Sequence, residues 1–169
     1  MMTALNRQSK YSCRQGDLSD AEEIHILMQR AFADYAKKKN EENDQEKVIN
    51  SALREKLSAV KADLEKNIVL VLSDGDQVIA SLRLEEISKQ RFMLKRFAVS
   101  PDYQNQGLGT MLFENAVAKL KEINAHYVQL YSSLENEKLI NFYRGLGFNC
   151  LETDHKKGYE RGLWVKTIQ

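Results

Sequence analysis

The amino-acid sequence predicts an α/β fold in which helices cover both faces of a mixed, largely antiparallel sheet. Amphipathic helical stretches alternate with short β-branched runs along the chain. The turn Asp74-Gly75 joins two such runs as a hairpin. A third run leads through a turn that contains Gly107 and Gly109 into a long helix. Because a chain of this length forms one core, we expect a single domain over residues 1–169.

The first part of the chain predicts a short strand and two helices. Tyr11–Arg14 has strand composition, and Asp17 and Asp20 stand where helix caps belong. Apolar residues then recur at helical spacing until a charged stretch, Lys37–Lys47, which we expect to be a loop or a frayed helix end. Ser51–Lys66 resumes an amphipathic pattern and predicts the second helix.

Three strands should follow these helices. Ile68–Leu72 and Val78–Leu84 flank the Asp-Gly turn and predict a β-hairpin. Arg91–Val99 predicts the third strand. Pro101, the only proline, cannot donate a hydrogen bond to a ladder and is typical of a strand exit.

The last part of the chain predicts two further helices and three strands. A helical period begins at Gly109 and continues to Ile123. The remaining elements are a strand, a short helix and two closing strands that we expect to be antiparallel: His126–Tyr131, Asn136–Gly145, Phe148–Thr153 and Leu163–Ile168.

Composition argues against several classes of protein. The 25 basic and 24 acidic side chains nearly cancel, so the charge balance does not favour nucleic acid or an anionic membrane surface. No segment approaches the length of a membrane span, and we expect a cytoplasmic protein. Cys13 and Cys150 lie outside any metal-ligand spacing, which indicates reduced thiols and no metal site.

The turn before the long helix is a candidate anion site. Free N–H groups at a helix start bind phosphate oxygens, and Gly107 and Gly109 have no Cβ that would hold a phosphate away. A P-loop requires a lysine after the glycine, but Gly109-Thr110-Met111 contains none. A Rossmann turn requires a third small residue where Leu112 stands. Both alternatives therefore fail.

Two motifs resemble those of one known family. The first is similar to the pyrophosphate loop of GNAT acetyltransferases and reads Gln104-Asn105-Gln106-Gly107-Leu108-Gly109-Thr110. The second resembles the Asn...Phe-Tyr...Gly-Phe motif of that family and contains Asn136, Phe142, Tyr143, Gly147 and Phe148. The motifs cover Leu94 to Phe148, although Leu139 stands where the family commonly has alanine. The resemblance implies the GNAT fold, with about six to seven strands and about four helices.

The resemblance also implies roles for individual residues. Acetyl-CoA would be the donor, and residues Gln104–Thr110 would hold its pyrophosphate. The backbone of Phe97, Ala98 and Val99 would pair with the pantetheine arm, the alternative being that Phe97 and Val99 are only core strand residues. Tyr143 would assist the departing thiolate as a general acid, the alternative being a packed helix residue. Asn136 would cap its helix and touch the pantetheine, and the cap alone would also explain it.

The base that accepts the amine proton is not evident. Many GNAT relatives carry a glutamate in the central strand, but Arg91–Val99 contains no carboxylate. Glu85 and Glu86, at the end of the preceding strand, are the nearest candidates, and Glu85 is our predicted catalytic residue. The alternative is that both belong to a solvated strand end.

The sequence therefore predicts an acyltransferase that moves the acetyl group of acetyl-CoA to a primary amine by direct attack. The acceptor is a small molecule or a peptide, and a homodimer is possible because dimers are common among relatives. Two alternatives stay open. The first is a non-catalytic acyl-CoA binding or sensing module, and the second is an unrelated nucleotide-binding protein, against which the missing lysine and third glycine argue.

Overall fold

The computed structural model describes residues 10–42 and 51–169, without the side chains of residues 38–42. These ranges contain seven strands and four α-helices. In chain order they are β1 (Tyr11–Gln15), α1 (Ala21–Glu42), α2 (Leu57–Lys66), β2 (Ile68–Asp74), β3 (Gln77–Ser88), β4 (Arg91–Val99), α3 (Leu108–Glu122), β5 (Tyr127–Ser133), α4 (Glu137–Gly145), β6 (Asn149–Asp154) and β7 (Arg161–Thr167). The predicted α/β class and the number of elements are confirmed.

The seven strands form one mixed sheet in the order β1-β2-β3-β4-β5-β7-β6. β1 is antiparallel to β2, and β7 is antiparallel to both β5 and β6. β4 and β5 are parallel, with Arg91–Met93 opposite Tyr127–Gln129. The two closing strands are antiparallel, as predicted, but the later one lies between β5 and β6.

The described helices differ in two places from the predicted bounds. α1 continues to Glu42, beyond the predicted end near Lys37, while residues 43–50 of the expected loop lie outside the described residues. The predicted helix Ser51–Lys66 is divided into a 3-10 helix, Ser51–Arg54, and α2. Lys56 precedes α2 and makes no side-chain cap bond, so the sequence carries no signal for this start.

The chain packs as two compact units. The first comprises Met1–Arg83 and Arg96–Leu112, and the second comprises Leu84–Lys95 and Phe113–Gln169. The core of the first unit joins apolar residues of α1, α2, β2, β3 and β4. Its fully buried members are Ile24, Met28, Val60 and Val71, and Ala98 is the member from β4. The single domain over residues 1–169 stays a prediction.

The second unit has its own buried residues on α3, β5 and β7. Phe113 and Phe148 pack at a ring-centroid distance of 5.4 Å. Trp164, the only tryptophan, is 1% exposed. Gly162 has no Cβ. A Cβ added at this residue would lie 2.8 Å from Cys150 Sγ and 2.9 Å from Trp164 Nε1. A glycine is therefore required for the close packing beside the tryptophan.

A capping box begins the helical part of the first unit. The Asp17 side chain accepts from Ser19 N, and Asp17 N donates to Asp20 Oδ2 at 2.8 Å. Arg14 donates to both oxygens of Asp20, at 2.7 and 2.8 Å. These bonds hold the pKa of Asp20 below its usual value, chiefly through the Arg14 guanidinium. The predicted capping residues are thus confirmed.

Candidate functional site

Strand β4 contains the three residues whose backbone we predicted to bind the donor. The parallel register with β5 covers only Arg91–Met93, so Phe97–Val99 lie beyond that paired part of the strand. Ala98 is buried in the core of the first unit, whereas Phe97 and Val99 are partly buried. The alternative, that Phe97 and Val99 are only core strand residues, stays a prediction, and any binding role would belong to the main chain.

The candidate anion loop connects β4 to α3. Asn105 and Gly107 have φ angles of 62° and 75°, and both residues are exposed. A glycine adopts the left-handed conformation without strain, and asparagine tolerates it better than most residues. The first helical bond runs from Met111 N to Gly107 O at 3.1 Å. The N–H groups of the first turn have no intrahelical acceptor, which suits an anion.

Side chains of the first unit hold this loop at both ends. Gln104 Nε2 donates to Val99 O at 3.3 Å and so joins the loop to the end of β4. Tyr11 Oη donates to Gln106 Oε1 at 3.3 Å and joins the loop to β1. Leu108 is 1% exposed and fixes the start of α3 in the core. Gly109 is partly buried, and Thr110 is exposed on the first helical turn.

A short 3-10 helix, Pro101–Tyr103, precedes the loop. Ser100 N donates to Ile79 O at 2.7 Å, which fixes the end of β4. Tyr103 Oη donates to Asp74 Oδ2 at 2.9 Å, and this hydrogen bond to a carboxylate raises the pKa of Tyr103. The loop therefore begins from a fixed strand end. No local sequence pattern indicates the Tyr103 contact, because Asp74 predicts only a turn.

The second predicted motif forms α4 in the second unit. Asn136 is its N-cap, and its side chain accepts from Leu139 N at 3.2 Å, as predicted. Tyr143 is partly buried and packs against Phe142 and Phe148, with ring-centroid distances of 5.4 and 5.9 Å. The cap and the aromatic packing are thus present. The roles of Asn136 and Tyr143 toward the donor stay predictions.

Glu85, the predicted base, lies on β3 in the second unit. Its side chain is 43% exposed and makes an ion pair with Lys95, at 2.9 Å between Oε2 and Nζ. Glu86 is exposed. The carboxylate is thus accessible to water and has a cation beside it.

A group of charged residues in the first unit was missed by the sequence reasoning. Arg83 on β3 is fully buried and makes ion pairs with Glu55 and Asp63. Arg96 on β4 contacts the same Glu55 and has a φ angle of 52°. A charged residue within the apolar stretch Val78–Leu84 was the available signal, since a buried arginine requires partners.

Two kinds of feature are absent from the described residues. They contain no group of three or more His, Cys, Asp or Glu side chains arranged to hold a metal ion. None of the helices in these ranges is long and apolar enough to cross a membrane.

A mixed sheet with helices and a left-handed glycine turn before a helix start defines an α/β protein with a candidate anion loop. The model of the Acetyltransferase (GNAT) family matches residues 24–148. Because this match covers more than half of the chain, the protein belongs to the GNAT acetyltransferase family. The predicted family is confirmed.

Individual relatives match a smaller part of the chain. An uncharacterized N-acetyltransferase of Methanocaldococcus jannaschii is 36% identical over 63 residues, which are 37% of this chain and 27% of that protein. The [ribosomal protein bS18]-alanine N-acetyltransferase of Escherichia coli K12 is 32% identical over 71 residues, 42% of this chain and 48% of that protein. The matches span less than half the length of these relatives.

Solved structures match nearly the whole chain. The PaiA N-acetyltransferase of Thermoplasma acidophilum, solved in complex with coenzyme A, has a TM-score of 0.76 and 21% identity. The match covers 93% of this chain and 98% of that chain. This likeness shows the GNAT fold.

Proposed function

We propose that this protein is an acetyl-CoA-dependent N-acetyltransferase. The observation that carries the proposal is the left-handed turn at Asn105 and Gly107, which leads directly into the N-terminus of α3 in a member of the GNAT family. Exposed backbone N–H groups at such a turn bind phosphate oxygens. The relative solved with coenzyme A supports the same donor class.

The loop fits the pyrophosphate of a CoA compound. Asn105, Gln106 and Gly107 are exposed, and the first-turn N–H groups follow them. Gln104 and Gln106 use their side chains to hold the loop through Val99 and Tyr11, which leaves binding to the backbone. Residues Gln104–Thr110 would therefore hold the donor, with the positive end of the α3 dipole behind them.

When bound, acetyl-CoA supplies an acetyl thioester, and the attacking amine takes the acetyl group while the thiol leaves. The backbone of Phe97, Ala98 and Val99 would align the pantetheine arm and donate to the developing oxyanion, a contribution of about 3–4 kcal/mol per donor. Tyr143 would donate a hydrogen bond to the leaving sulfur. Asn136 would contact the pantetheine in addition to capping α4.

The amine must lose a proton before or during attack. For a lysine-like amine at pH 7 this costs about 4–5 kcal/mol. Glu85 would accept that proton through water, since its carboxylate is partly exposed. Replacement by glutamine removes the base, and Glu86→Gln tests the second candidate, on the adjacent residue. We expect Glu85→Gln to lower turnover about 100-fold with little change in CoA binding.

The acceptor would be a primary amine of a small molecule or a peptide. The Escherichia coli relative is named for the alanine of a ribosomal protein, so a peptide with an N-terminal alanine belongs in the first amine panel. A polyamine and free amino acids should be tested beside it. Size-exclusion chromatography would test the possible homodimer.

The first experiment measures CoA binding by the protein and two glycine variants. Gly107→Ala places a side chain on a left-handed residue in the loop, and Gly75→Ala does the same in the β2–β3 turn, where no atom lies within 4 Å of the added Cβ. Both changes carry a similar backbone cost of about 1 kcal/mol. We expect only Gly107→Ala to weaken CoA binding, by about tenfold or more.

Thermal unfolding provides the second measurement. A ligand that binds only the native state at about 100 times its Kd adds about 2.7 kcal/mol of stability. We expect CoA and acetyl-CoA to raise the Tm and ATP and NAD to leave it unchanged. Absence of any CoA effect at saturation would contradict the proposed function.

The ion pair of Glu85 favours one alternative, a non-catalytic acyl-CoA binding module. In that case CoA would bind with the same dependence on Gly107, yet acetyl-CoA would not be consumed with any amine. Following free thiol release across the amine panel separates the two functions.

A further inference from the structure

A buried arginine on β3 fixes a carboxylate that also reaches β4. The Arg83 side chain has no exposed surface. It donates to both oxygens of Glu55, with an Nη2–Oε2 distance of 3.0 Å, and to Asp63 Oδ2 at 2.8 Å. A buried charge is stable only with such partners. The Glu55 carboxylate is therefore held in one position.

The same carboxylate contacts Arg96, whose backbone conformation is unusual. Arg96 Nε lies 3.5 Å from Glu55 Oε1, and its Nη1 donates to Ser51 Oγ at 3.2 Å. The φ angle of Arg96 is 52°, a left-handed value that residues with a Cβ rarely adopt. Three other described non-glycine residues have a positive φ, and all lie in turns: Gln90, Asn105 and Asn124. Arg96 alone among these four lies inside a strand.

A left-handed residue inside a strand changes the direction of the chain that follows it. Phe97–Val99 follow Arg96 directly, so the orientation of their N–H and C=O groups depends on its φ and ψ. A strained backbone conformation persists only where the surroundings hold it. The Arg96 side chain has such surroundings in its contacts with Glu55 and Ser51.

We infer that Arg96 is a positioning residue for the reaction. Glu55, fixed by Arg83, holds the Arg96 guanidinium, and this contact keeps the left-handed turn that orients the backbone of Phe97–Val99. The inference rests on the proposed function, in which that backbone aligns the donor. Arginine suits the role because its planar group presents several donors and contacts a carboxylate and a hydroxyl together.

The decisive variant is Arg96→Gly. Glycine adopts a positive φ without strain, so the variant removes the guanidinium contacts without straining φ, and its added flexibility is matched by the control. Gln90→Gly is the matched control, because it makes the same change at a left-handed residue that precedes β4. Arg96→Lys keeps the positive charge and should retain part of the positioning of the Phe97–Val99 backbone.

Amide hydrogen exchange of the ligand-free protein measures positioning directly. In Arg96→Gly we expect exchange at Phe97–Val99 to increase about tenfold or more, while exchange in Ile68–Asp74 of β2 stays unchanged. Arg96→Lys should lie between this variant and the unaltered protein, and Gln90→Gly should match the unaltered protein. Unchanged exchange at Phe97–Val99, or an equal increase in β2, would overturn the inference.

Turnover with the best amine of the panel gives the second readout. We expect Arg96→Gly to lower kcat about tenfold to 100-fold and to change CoA affinity less than threefold, because residues Gln104–Thr110 are unaltered. If kcat falls only in proportion to the fraction of folded protein in Arg96→Gly, then Arg96 has a merely structural role. If Arg96→Gly fails to fold, Ser51→Ala removes one contact only and should raise exchange at Phe97–Val99 severalfold, whereas no change would overturn the inference.

The two proposals fail in distinguishable ways. Absence of CoA binding by the unaltered protein contradicts the proposed function. Binding and turnover by the unaltered protein, together with normal exchange and turnover in Arg96→Gly, contradict only the role of Arg96.

Discussion

The two cysteines differ in environment, and this difference predicts their reactivity. Burial raises the pKa of the Cys13 thiol to about 11, whereas Cys150 is exposed. At pH 8 only about one Cys13 thiol in a thousand is ionised, and the thiolate is the reactive form. With a disulfide reagent we expect Cys150 to react first and Cys13 at least about 100 times more slowly. Cys150→Ser should leave only the slow phase, and equal rates would contradict the prediction.

Asp20 predicts a dependence of stability on pH. Its pKa is lower in the folded protein, mainly through Arg14, so its stabilising effect is present above the unfolded value of about 3.9 and is lost as pH falls through the folded pKa. At pH 7 we expect Asp20→Asn to lower the free energy of unfolding by about 1–3 kcal/mol. Urea unfolding from pH 7 to pH 3 should show this difference shrinking.

The control for this prediction is Asp102→Asn. Asp102 pairs with Arg30, but their side chains are 68% and 50% exposed. An exposed pair contributes little, so the free energy of unfolding should change by less than about 1 kcal/mol. A difference for Asp20→Asn that persists unchanged at pH 3 would contradict the linkage.

The sequence predicted single residues well where a local rule applies. Asp17 and Asn136 are N-caps, and Gly107 has a positive φ. Each depends on a few neighbouring residues. Arg96 could not be found in this way, because its φ is held by Glu55 and Arg83, which are distant in sequence. The cost of burying Arg83 indicated a partner without identifying it.

One methyl group added at Gly162 of strand β7 should have a strong effect on the free energy of unfolding. An alanine Cβ at Gly162 would lie 2.8 Å from Cys150 Sγ and 2.9 Å from Trp164 Nε1, and the indole is buried. We expect Gly162→Ala to lower the free energy of unfolding by about 1–3 kcal/mol. Gly145→Ala is the control, because no atom lies within 4 Å of its added Cβ. A neutral Gly162→Ala would contradict the close packing.

The N-cap of helix α4, Asn136, has two proposed roles that mutation can separate. Asn136→Ala removes the bond to Leu139 N and should lower the free energy of unfolding by about 1 kcal/mol. Asn136→Ser keeps a capping oxygen and should preserve most of the stability. If the Asn136 amide also contacts the donor, CoA affinity will fall in both variants. A fall in Asn136→Ala alone would indicate that the cap is the whole role.

Most elements were predictable because each has a local pattern. Strand β4 has the predicted bounds, and the hairpin and α3 agree within a few residues. The exceptions lack a local signal. Charged residues are compatible with either a helix or a loop. The sequence therefore did not indicate that α1 extends past Lys37. The division between the 3-10 helix and α2 has no capping side chain.

At the scale of the whole molecule, we expect the chain to unfold cooperatively. Strands β3 and β4 each contribute residues to both compact units, so the chain runs through both units along two strands. We therefore expect two-state unfolding. Trp164 fluorescence reports on the second unit, and labelling of Cys13 in a Cys150→Ser background reports on the first.

The measurement compares the two urea midpoints. They should coincide within the uncertainty of the fit, and Gly162→Ala should shift both together. Two separate midpoints would mean that the units unfold independently and would contradict the predicted single domain.

The strand order could not be predicted from the sequence. Apolar patterns identify strands, but partners are chosen by packing across the sheet. Val128, Gln129 and Leu130 of β5 are buried, as expected for a strand with neighbours on both sides. Residues Asn149–Thr153 of β6 are all exposed, and the polar residues Asn149, Glu152 and Thr153 were the available indication of an edge strand.

The position of β7 between β5 and β6 also orders events during protein synthesis. The ribosome delivers β6 before β7, yet β5 pairs with β7. Native pairing at this edge of β5 therefore waits until residues up to Thr167 have been translated. In the interval the nascent chain presents an open strand edge, which favours pairing with other chains. The β6–β7 hairpin then joins the sheet through its second strand, and completion of the sheet is a late step of biogenesis.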